Sequence, residues 1–311
     1  MKAYGAYSKN SEIKKLSSSG GIFYELALCF IKNGGVVYGA FLADDLTLAH
    51  IKVENICDLT KILGSKYVQS DISKALSDMK NEKRAMLFCG APCQIAAVNA
   101  QAKKCGYTEQ VTTIDFACHG TPINKIFFEY INDLEEQYNS KVIEYSFRSK
   151  RGGWSKLEVY CKFENGREYF GKGEEDAFRI AFARNYCLKE SCYSCKYANL
   201  NRVSDLTLCD YWGVANLQKE LYNEEGVSLV LCNTSNGQGL FDELDIVKKE
   251  ADITAASKVN LCLMRPSTKP ENAEAFMRDL KEKGFKFVKK KYLTPDPKLK
   301  VIFKKIMRKF R

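Results

Sequence analysis

The sequence predicts an α/β protein with a mixed sheet, a strand–helix–strand core, and a cysteine-rich loop covering the carboxyl ends of the strands. The core prediction depends on two apolar stretches, 85–89 and 111–117, which have strand length and enclose a helical stretch at 93–103. Such a unit normally holds its two strands parallel, with a right-handed crossover. The loop prediction depends on the polar stretch 187–209, which contains four cysteines.

The other elements are predicted from hydrophobic periodicity and turn residues. Before the core unit, an apolar face at 22–31 predicts a helix capped by the serines at 17–19, which ends at Asn33. Residues 36–42 and 46–53 then predict a hairpin across Asp44 and Asp45, and a helix is expected at 72–82. After the core unit we expect helices at 123–137, 176–184 and 270–283, and strands at 142–147, 157–163 and 227–232.

The domain organisation is expected to be two interlocked lobes followed by a tail. The N-terminal lobe, 1–140, holds two cysteine motifs, and the C-terminal lobe, 141–270, holds the C-x2-C loop. Residues 271–311 are predicted to be a basic helical tail. No internal repeat or low-complexity linker separates these parts.

Composition narrows the class of protein. Hydrophobic residues make up 45% and charged residues 28% of the 311, which is typical of a globular chain. No apolar run approaches the 18 or so residues that a spanning helix needs. The first ten residues contain no apolar signal region, so a cytoplasmic location is expected.

The positive charge is concentrated at the C-terminus. The chain has a formal net charge of +10, and residues 281–311 contain 13 basic and 2 acidic residues. The preceding part is therefore close to neutral, which argues against a nucleic-acid platform. The tail is interpreted as a solvated helical face, with an acidic membrane surface or a partner protein as the alternatives.

Cysteine is unusually frequent. The chain has 13 cysteines and only 2 histidines, so a metal centre would have to use mainly sulfur. The strongest pattern is Cys187-x4-Cys192-x2-Cys195, with Cys209 further on. A C-x2-C pair on a polar loop directs two thiolates at one centre, and Cys187 and Cys209 could complete a four-thiolate zinc site.

Two more cysteines follow predicted strands. Cys93 lies in Cys89-Gly90-Ala91-Pro92-Cys93-Gln94, and Cys118 lies in Cys118-His119-Gly120. Because ligands collect at the carboxyl ends of parallel strands, Cys93 and Cys118 should be neighbours. If the C-x2-C loop folds over that edge, four thiolates converge as a 4Fe–4S cluster requires. The alternatives are two buried structural cysteines or a Cys89–Cys93 redox dithiol.

Two glycine-bearing segments are candidate cofactor contacts. Residues 17–21, at a predicted helix start, offer amides and hydroxyls to an anion such as a pyrophosphate. Residues 64–67 add a turn, a cation and an aromatic ring that could contact a flat ring system. Each could equally be a simple cap or turn.

Three further residues are singled out. Arg148 and Arg151 could meet phosphate or carboxylate or lie on the surface, and Trp212 is expected to anchor the cysteine loop.

Taken together, the motifs resemble the coenzyme F420 hydrogenase/dehydrogenase beta-subunit family, in the family's order. They are Ser18-Ser19-Gly20-Gly21, Gly64-Ser65-Lys66-Tyr67-Val68-Gln69-Ser70, Gly90-Ala91-Pro92-Cys93-Gln94, Cys118-His119-Gly120, Ser191-Cys192-Tyr193-Ser194-Cys195, Ser204-Asp205-Leu206-Thr207 and Asp210-Tyr211-Trp212-Gly213.

The resemblance implies an iron–sulfur flavoprotein oxidoreductase, in which a flavin, usually FAD, exchanges electrons between a hydride carrier or substrate and a 4Fe–4S cluster. It implies Cys93, Cys118, Cys192 and Cys195 as cluster ligands. The implied flavin-side residues are Ser18, Ser19, Gly20, Gly21, Gly64, Ser65, Lys66 and Tyr67, with Gly90 and Gln94. His119 and Lys66 are candidates for proton supply and for stabilising reduced flavin.

The resemblance also implies partners. Many bacterial members begin with a ferredoxin-like domain, whereas this chain begins at the Ser-Ser-Gly-Gly region. A separate ferredoxin or other electron-transfer protein is therefore expected, with the basic tail as its docking site. Bacterial members often occur in polysaccharide-related metabolism, and neither the small-molecule substrate nor use of the deazaflavin coenzyme is specified. Competing hypotheses are a non-catalytic zinc protein whose basic tail binds nucleic acid or a partner, and an assembly protein without flavin.

Overall fold

The structure, a computed structural model, describes residues 1–295, so residues 296–311 of the predicted tail lie outside the described part. Its strands are β1 Lys2–Ser8, β2 Val36–Leu42, β3 Leu48–Val53, β4 Met86–Cys89, β5 Val111–Phe116, β6 Val142–Ser149, β7 Glu158–Phe163, β8 Glu168–Gly171, β9 Leu206–Asp210, β10 Ser228–Cys232 and β11 Ile246–Glu250.

The helices alternate with these strands along most of the chain. They are α1 Ser11–Leu16, α2 Ile22–Lys32, α3 Ser73–Met79, α4 Pro92–Cys105, α5 Asn124–Tyr138, α6 Ala177–Ala183, α7 Glu190–Tyr193, α8 Val214–Leu217, α9 Ser235–Asp242, α10 Ile253–Val259 and α11 Ala273–Tyr292. Short 3₁₀ turns, the longest at Ile56–Ile62, complete the connections.

The main sheet has eight strands in the order β11-β1-β10-β9-β5-β4-β2-β3. Its centre is parallel, because β4 pairs in parallel with both β2 and β5, and β5 pairs in parallel with β9. The flanking pairs are antiparallel, including the predicted β2–β3 hairpin. The predicted fold class, a mixed sheet around the β4–α4–β5 unit, is confirmed.

The core lies on both faces of this sheet and beneath a second sheet of three strands, β6-β7-β8. On one face α2 buries Ile22, Leu26 and Ala27. On another side α4 buries Ile95 and Val98. The largest apolar cluster joins the second sheet to α5, α6 and α11. Helices therefore cover both faces of the main sheet.

One local prediction was wrong. The expected serine cap is absent, because α2 begins after Gly21, which has a φ of +85° and forms no side-chain cap. The serines at 17–19 are instead an irregular segment between α1 and α2.

The described part of the basic tail packs against the body. In α11, Phe276, Leu280, Phe285 and Val288 are buried, and the helix kinks at Gly284. Its lysines pair with acids of the chain, Lys289 with Asp133 at 2.6 Å and Lys286 with Glu136. Much of the charge at 281–291 is thus neutralised within the protein. Among the described residues, no helix has the length and apolar character to cross a membrane.

Candidate functional site

The first part of the site is the carboxyl edge of the parallel strands. Cys93 lies in the first turn of α4, directly after β4. Cys118 follows the end of β5 by two residues. Because β4 and β5 are parallel neighbours, both cysteines lie at the same edge of the sheet.

The C-x2-C loop is fastened to that edge by backbone hydrogen bonds. Ile123 N donates to Cys187 O at 2.9 Å, and Lys189 N donates to Thr121 O at 2.9 Å. Gly120, with a φ of +122°, allows the approach, because a Cβ there would lie 2.8 Å from the side chain of Leu188. Cys192 in α7 and Cys195 just after it are therefore placed over the strand ends, as the sequence predicts.

Each of the four thiols is close enough to at least one of the others for one to affect the ionisation of the other. Desolvation raises the pKa of Cys93, and Cys195 and Cys192 raise it further. Burial raises the pKa of Cys118 to about 12, with contributions from Cys93 and Cys192. The amide of Thr121 donates to Cys192 Sγ at 3.4 Å. We call Cys93, Cys118, Cys192 and Cys195 the cysteine site.

The four cysteines lie at the same edge of the sheet, but their sulfur atoms are not directed at a single point. Within residues 1–295, no three His, Cys, Asp or Glu side chains form a group that could hold a metal ion as they stand. Ligation at the cysteine site therefore requires the sulfur atoms to turn toward a common centre. Cys93 is exposed and the other three thiols are partly buried, so the edge is open on one side.

The remaining cysteines of the motifs are placed differently. Cys187 is fully buried in the largest apolar cluster. Cys209 lies in β9, with Sγ 3.5 Å from Leu229 O, rather than in the predicted loop. Cys89 ends β4, and burial raises the pKa of its thiol to about 12.

Sequence reasoning did not single out Cys262. Its Sγ lies 3.9 Å from His119 Nδ1, and it is among the charges that raise the pKa of Cys118. Its only sequence signal was membership of a cysteine-rich chain. His119 itself packs edge to face against Phe182, with ring centroids 4.8 Å apart and Nε2 3.3 Å from Phe182 O.

A buried ion pair supports the far end of the cysteine loop. Arg202 Nη2 lies 2.8 Å from Asp115 Oδ2, and the two side chains are 1% and 0% exposed. The same guanidinium donates to the carbonyls of Tyr197, Asn199 and Phe116. Arg202 thereby joins the segment after Cys195 to the last residues of β5.

The second part of the site is a cavity of about 910 Å³, which we call the larger cavity. Its walls come from the GSKY segment, defined as residues 64–67, from the end of α1, and from 143–154 around the β6–β7 turn. The cations at its wall are Lys15, Lys61, Lys66, Arg148, Lys150 and Arg151. The acids at the same wall are Asp44, Glu144, Glu224 and Glu225, so the cations outnumber the acids by six to four. Such a volume and this positive balance suit an anionic small molecule.

The two predicted cofactor segments meet beside this cavity. Ser65 Oγ donates to Ser18 Oγ at 2.7 Å and so connects the GSKY segment to the serine-glycine segment, residues 17–21. Ser19 Oγ donates to Val227 O at 2.8 Å, and Gly20 N to Ser228 Oγ at 3.0 Å. The serine-glycine segment is thus fixed mainly by the start of β10.

Lys66 and Tyr67 point in different directions. Lys66 lines the larger cavity and donates to Leu63 O at 2.6 Å, and burial lowers its pKa to about 8. Tyr67 stacks on Phe182, with centroids 4.9 Å apart. The guanidinium of Arg179 lies 4.9 Å from the Tyr67 ring centroid, and its Nε and Nη1 have no hydrogen-bond partner in the described part of the chain.

Gly90 and Gln94 make their hydrogen bonds within the protein. Gly90 N donates to Ile114 O at 3.0 Å. Gln94 Oε1 accepts from Ala91 N at 2.9 Å, and its Nε2 donates to Ser70 Oγ at 2.9 Å. Gln94 lines a separate cavity of about 500 Å³ rather than the larger one.

The two arginines of the β6–β7 region have opposite environments. Arg148 is buried, and its Nη1 donates to Asp210 Oδ2 at 2.6 Å. Trp154 Nε1 donates to the other oxygen of Asp210 at 2.8 Å and stacks on Trp212. Arg151 is exposed and lies 3.6 Å from Glu168. Trp212 therefore holds the chain after β9 through Trp154, rather than holding the C-x2-C loop directly.

Comparisons with known proteins agree with this architecture. A family model that describes the C-terminal part of the coenzyme F420 hydrogenase/dehydrogenase beta subunit matches residues 83–259. A search of curated proteins finds no match. One solved structure of similar fold is a chain of the F420-reducing [NiFe] hydrogenase complex of Methanosarcina barkeri, with 15% identity, a TM-score of 0.59, and coverage of 92% of this chain and 94% of that one. Because the family model spans more than half of the sequence, the protein belongs to the coenzyme F420 hydrogenase/dehydrogenase beta-subunit family.

Proposed function

We propose that the protein is an electron-transferring oxidoreductase that binds a 4Fe–4S cluster at the cysteine site and FAD in the larger cavity. One observation carries the proposal. Cysteines from three separate parts of the chain, residue 93, residue 118 and the 192–195 loop, lie at one edge of the sheet. An α/β fold without such a centre has no need to bring four cysteines together there.

The chemistry of the donor set fits a cluster. Four cysteine thiolates are the usual ligands of a 4Fe–4S cluster, which is larger than one ion and therefore accepts more widely spaced sulfurs. The backbone amide of Thr121 already donates to Cys192 Sγ, which is the kind of contact that tunes a cluster. Cys187 and Cys209 are not proposed as ligands, because each lies inside the packed structure.

The larger cavity fits a dinucleotide such as FAD. Lys66, which forms no ion pair within the described residues, supplies positive charge for a diphosphate, and Arg148 Nε is buried without a partner among residues 1–295. Trp154 and Tyr160 add aromatic faces to the same wall. The volume lies within the range of small-molecule sites.

The residues between the two parts of the site are in contact. Tyr67 of the GSKY segment stacks on Phe182, and Phe182 contacts His119, the residue after Cys118. A bound flavin would accept two electrons as hydride and release them singly to a cluster. Within this arrangement Lys66 holds positive charge at the cavity wall, and His119 is the candidate for moving a proton on the cluster side.

The partner is proposed to be a ferredoxin or another electron-transfer protein. The similar structure is part of a hydrogenase complex, which supports a multi-protein setting. The open side of the cysteine site at Cys93 suits transfer of single electrons to such a partner. A small molecule at the larger cavity is the proposed hydride donor or acceptor.

The test is the composition of the protein purified without oxygen. We expect a brown protein with about four irons and four labile sulfides per chain and one releasable FAD. Colourless protein with one zinc would instead establish the zinc hypothesis, and a cluster without flavin would establish an assembly protein. Either of these two results would overturn the proposal.

A further inference from the structure

Lys150 makes an unusual set of contacts at the wall of the larger cavity. It follows β6, and its Nζ lies 2.6 Å from each of three carbonyl oxygens, those of Lys14, Ser19 and Glu225. The three carbonyls belong to α1, to the serine-glycine segment and to the turn before β10. An ammonium group has three donors and no acceptor, so all of its hydrogens are used.

The space between this ammonium and Gly226 is tight. Gly226 has a φ of +114°, and a Cβ there would lie 3.2 Å from Lys150 Nζ and 3.0 Å from Ser19 O. A larger residue would therefore displace either the lysine or the serine-glycine segment.

The two acids that act on this ammonium, Asp210 and Glu225, are each occupied by another cation. Asp210 pairs with Arg148 at 2.6 Å. Glu225 pairs with Lys14 at 2.8 Å and also accepts from the Ser11 hydroxyl. Within the described residues Lys150 forms no ion pair with a carboxylate, so its direct hydrogen bonds go to backbone carbonyls.

The electrostatic surroundings make that charge sensitive to pH. Burial first, and then the positive charge of Arg148, lower the pKa of Lys150 to about 7; Lys14 also lowers it, whereas Asp210 and Glu225 raise it. As the pH rises through neutrality, Lys150 loses one donor and its charge. The contact should therefore weaken between about pH 6 and pH 9.

We propose that Lys150 is a positioning residue, which holds the serine-glycine segment and α1 against the 225–226 turn and thereby maintains the wall of the larger cavity. That the cavity takes FAD rests on the proposed function, whereas the three-carbonyl contact does not. Loss of the ammonium would remove one donor from each of the three carbonyls and loosen the serine-glycine segment, which would keep its contacts with β1 and the start of β10.

The experiment compares Lys150→Met and Lys150→Arg with Lys61→Met. Lys61 lines the same cavity, but its ammonium pairs with Asp58 at the surface. The measurements are hydrogen exchange of segment 14–20 in flavin-free protein, at pH 6 and pH 9 with correction for intrinsic rates, and FAD affinity by fluorescence titration. We expect Lys150→Met to speed exchange, to abolish its pH dependence, and to weaken FAD binding roughly tenfold.

The controls separate the contact from the cofactor. Lys150→Arg should not restore the wild-type exchange rate or FAD affinity, because a planar guanidinium cannot direct one nitrogen at three carbonyls. Lys61→Met should leave exchange unchanged. If segment 14–20 of Lys150→Met exchanges at the wild-type rate, the inference is overturned, even if that variant binds FAD. If the wild-type protein does not bind FAD but Lys150→Met still exchanges faster than the wild type, the proposed function is overturned. The inference about Lys150 then still stands.

Discussion

The cysteine site and the larger cavity are built in different ways. The cysteine site uses a rare residue at strand ends and on one short loop, and backbone hydrogen bonds hold that loop over the sheet. The larger cavity uses common lysines and serines from α1, the GSKY segment and the β6–β7 turn, which meet only in the folded chain. A site built from cysteines in recognisable motifs can therefore be predicted from the sequence. A site built from common residues such as lysine and serine is recognised only from the contacts that these residues make in the folded chain.

The largest effect is expected at the cysteine site. Cys192→Ala or Cys195→Ala should reduce iron from about four per chain to less than one and abolish electron transfer, because three thiolates do not hold a cubane firmly. Iron and sulfide assays on anaerobic protein provide the measurement.

Cys187→Ala is the matched control on the same loop. Its thiol is buried among apolar side chains, so the variant should keep its iron. Full iron content in both Cys192→Ala and Cys195→Ala, or iron loss in Cys187→Ala alone, would refute the ligand assignment.

A second large effect is expected where Arg202 supports the cysteine loop. Arg202→Met leaves Asp115 buried without its partner, and the loss of one member of a buried pair costs about 3–5 kcal/mol of unfolding free energy. Urea denaturation measures this change, and adding Asp115→Asn to Arg202→Met should restore part of it.

Arg84→Met provides the comparison with an exposed pair. Arg84 contacts Glu54 and Glu82 near the surface, where a pair contributes at most about 1 kcal/mol. Equal losses in the two arginine variants would mean that Arg202 has no special role in supporting the loop.

Much of the fold was predictable because the β4–α4–β5 unit has clear apolar strands and a clear helix. The strands at the other side of the sheet were not. β1 has the sequence Lys-Ala-Tyr-Gly-Ala-Tyr-Ser, which lacks the β-branched residues of a typical strand, and it becomes one because it lies between β10 and β11. β9 was hidden in the predicted cysteine loop, so Cys209 was assigned to the wrong element.

The candidate site also has one part that could be predicted from the sequence and one part that could not. The neighbourhood of Cys93 and Cys118 was predictable from the rule for strand ends, whereas that rule does not place the C-x2-C loop, which was expected there only as part of the cluster hypothesis. The contact of Lys150 was not, because its partners Lys14 and Ser19 lie more than 130 residues away in the chain. A lysine carries no sequence signal that distinguishes a surface position from a contact with three carbonyls.

A moderate effect is expected from the protonation of Lys66 in the larger cavity. Burial lowers its pKa to about 8, so its charge is complete at pH 6.5 and is lost as the pH rises. An anionic ligand favours the charged amine, so FAD affinity should decline between about pH 7.5 and pH 9. Fluorescence titration across this range measures the decline.

Lys66→Met should bind FAD more weakly at pH 6.5 and should show a flatter pH profile. Lys15→Met serves as the control, because Lys15 pairs with Glu12 at 2.7 Å and the pKa of its ammonium is raised. If FAD affinity depends on pH in Lys66→Met as it does in the wild type, Lys66 does not contribute to binding of the cofactor.

The smallest effect concerns the hydrogen bond that joins the two cofactor segments. Ser65→Ala removes the contact with Ser18, and the free energy of unfolding should fall by about 1 kcal/mol. Ser17→Ala is the matched control, because the buried Ser17 hydroxyl has no partner within the described residues, so its removal should leave stability unchanged or slightly raised. Urea denaturation of the two flavin-free variants makes the comparison. If both serine variants lost the same stability, the segments would not be joined through Ser65, and the larger cavity would owe its shape to the Lys150 contact and the start of β10 alone.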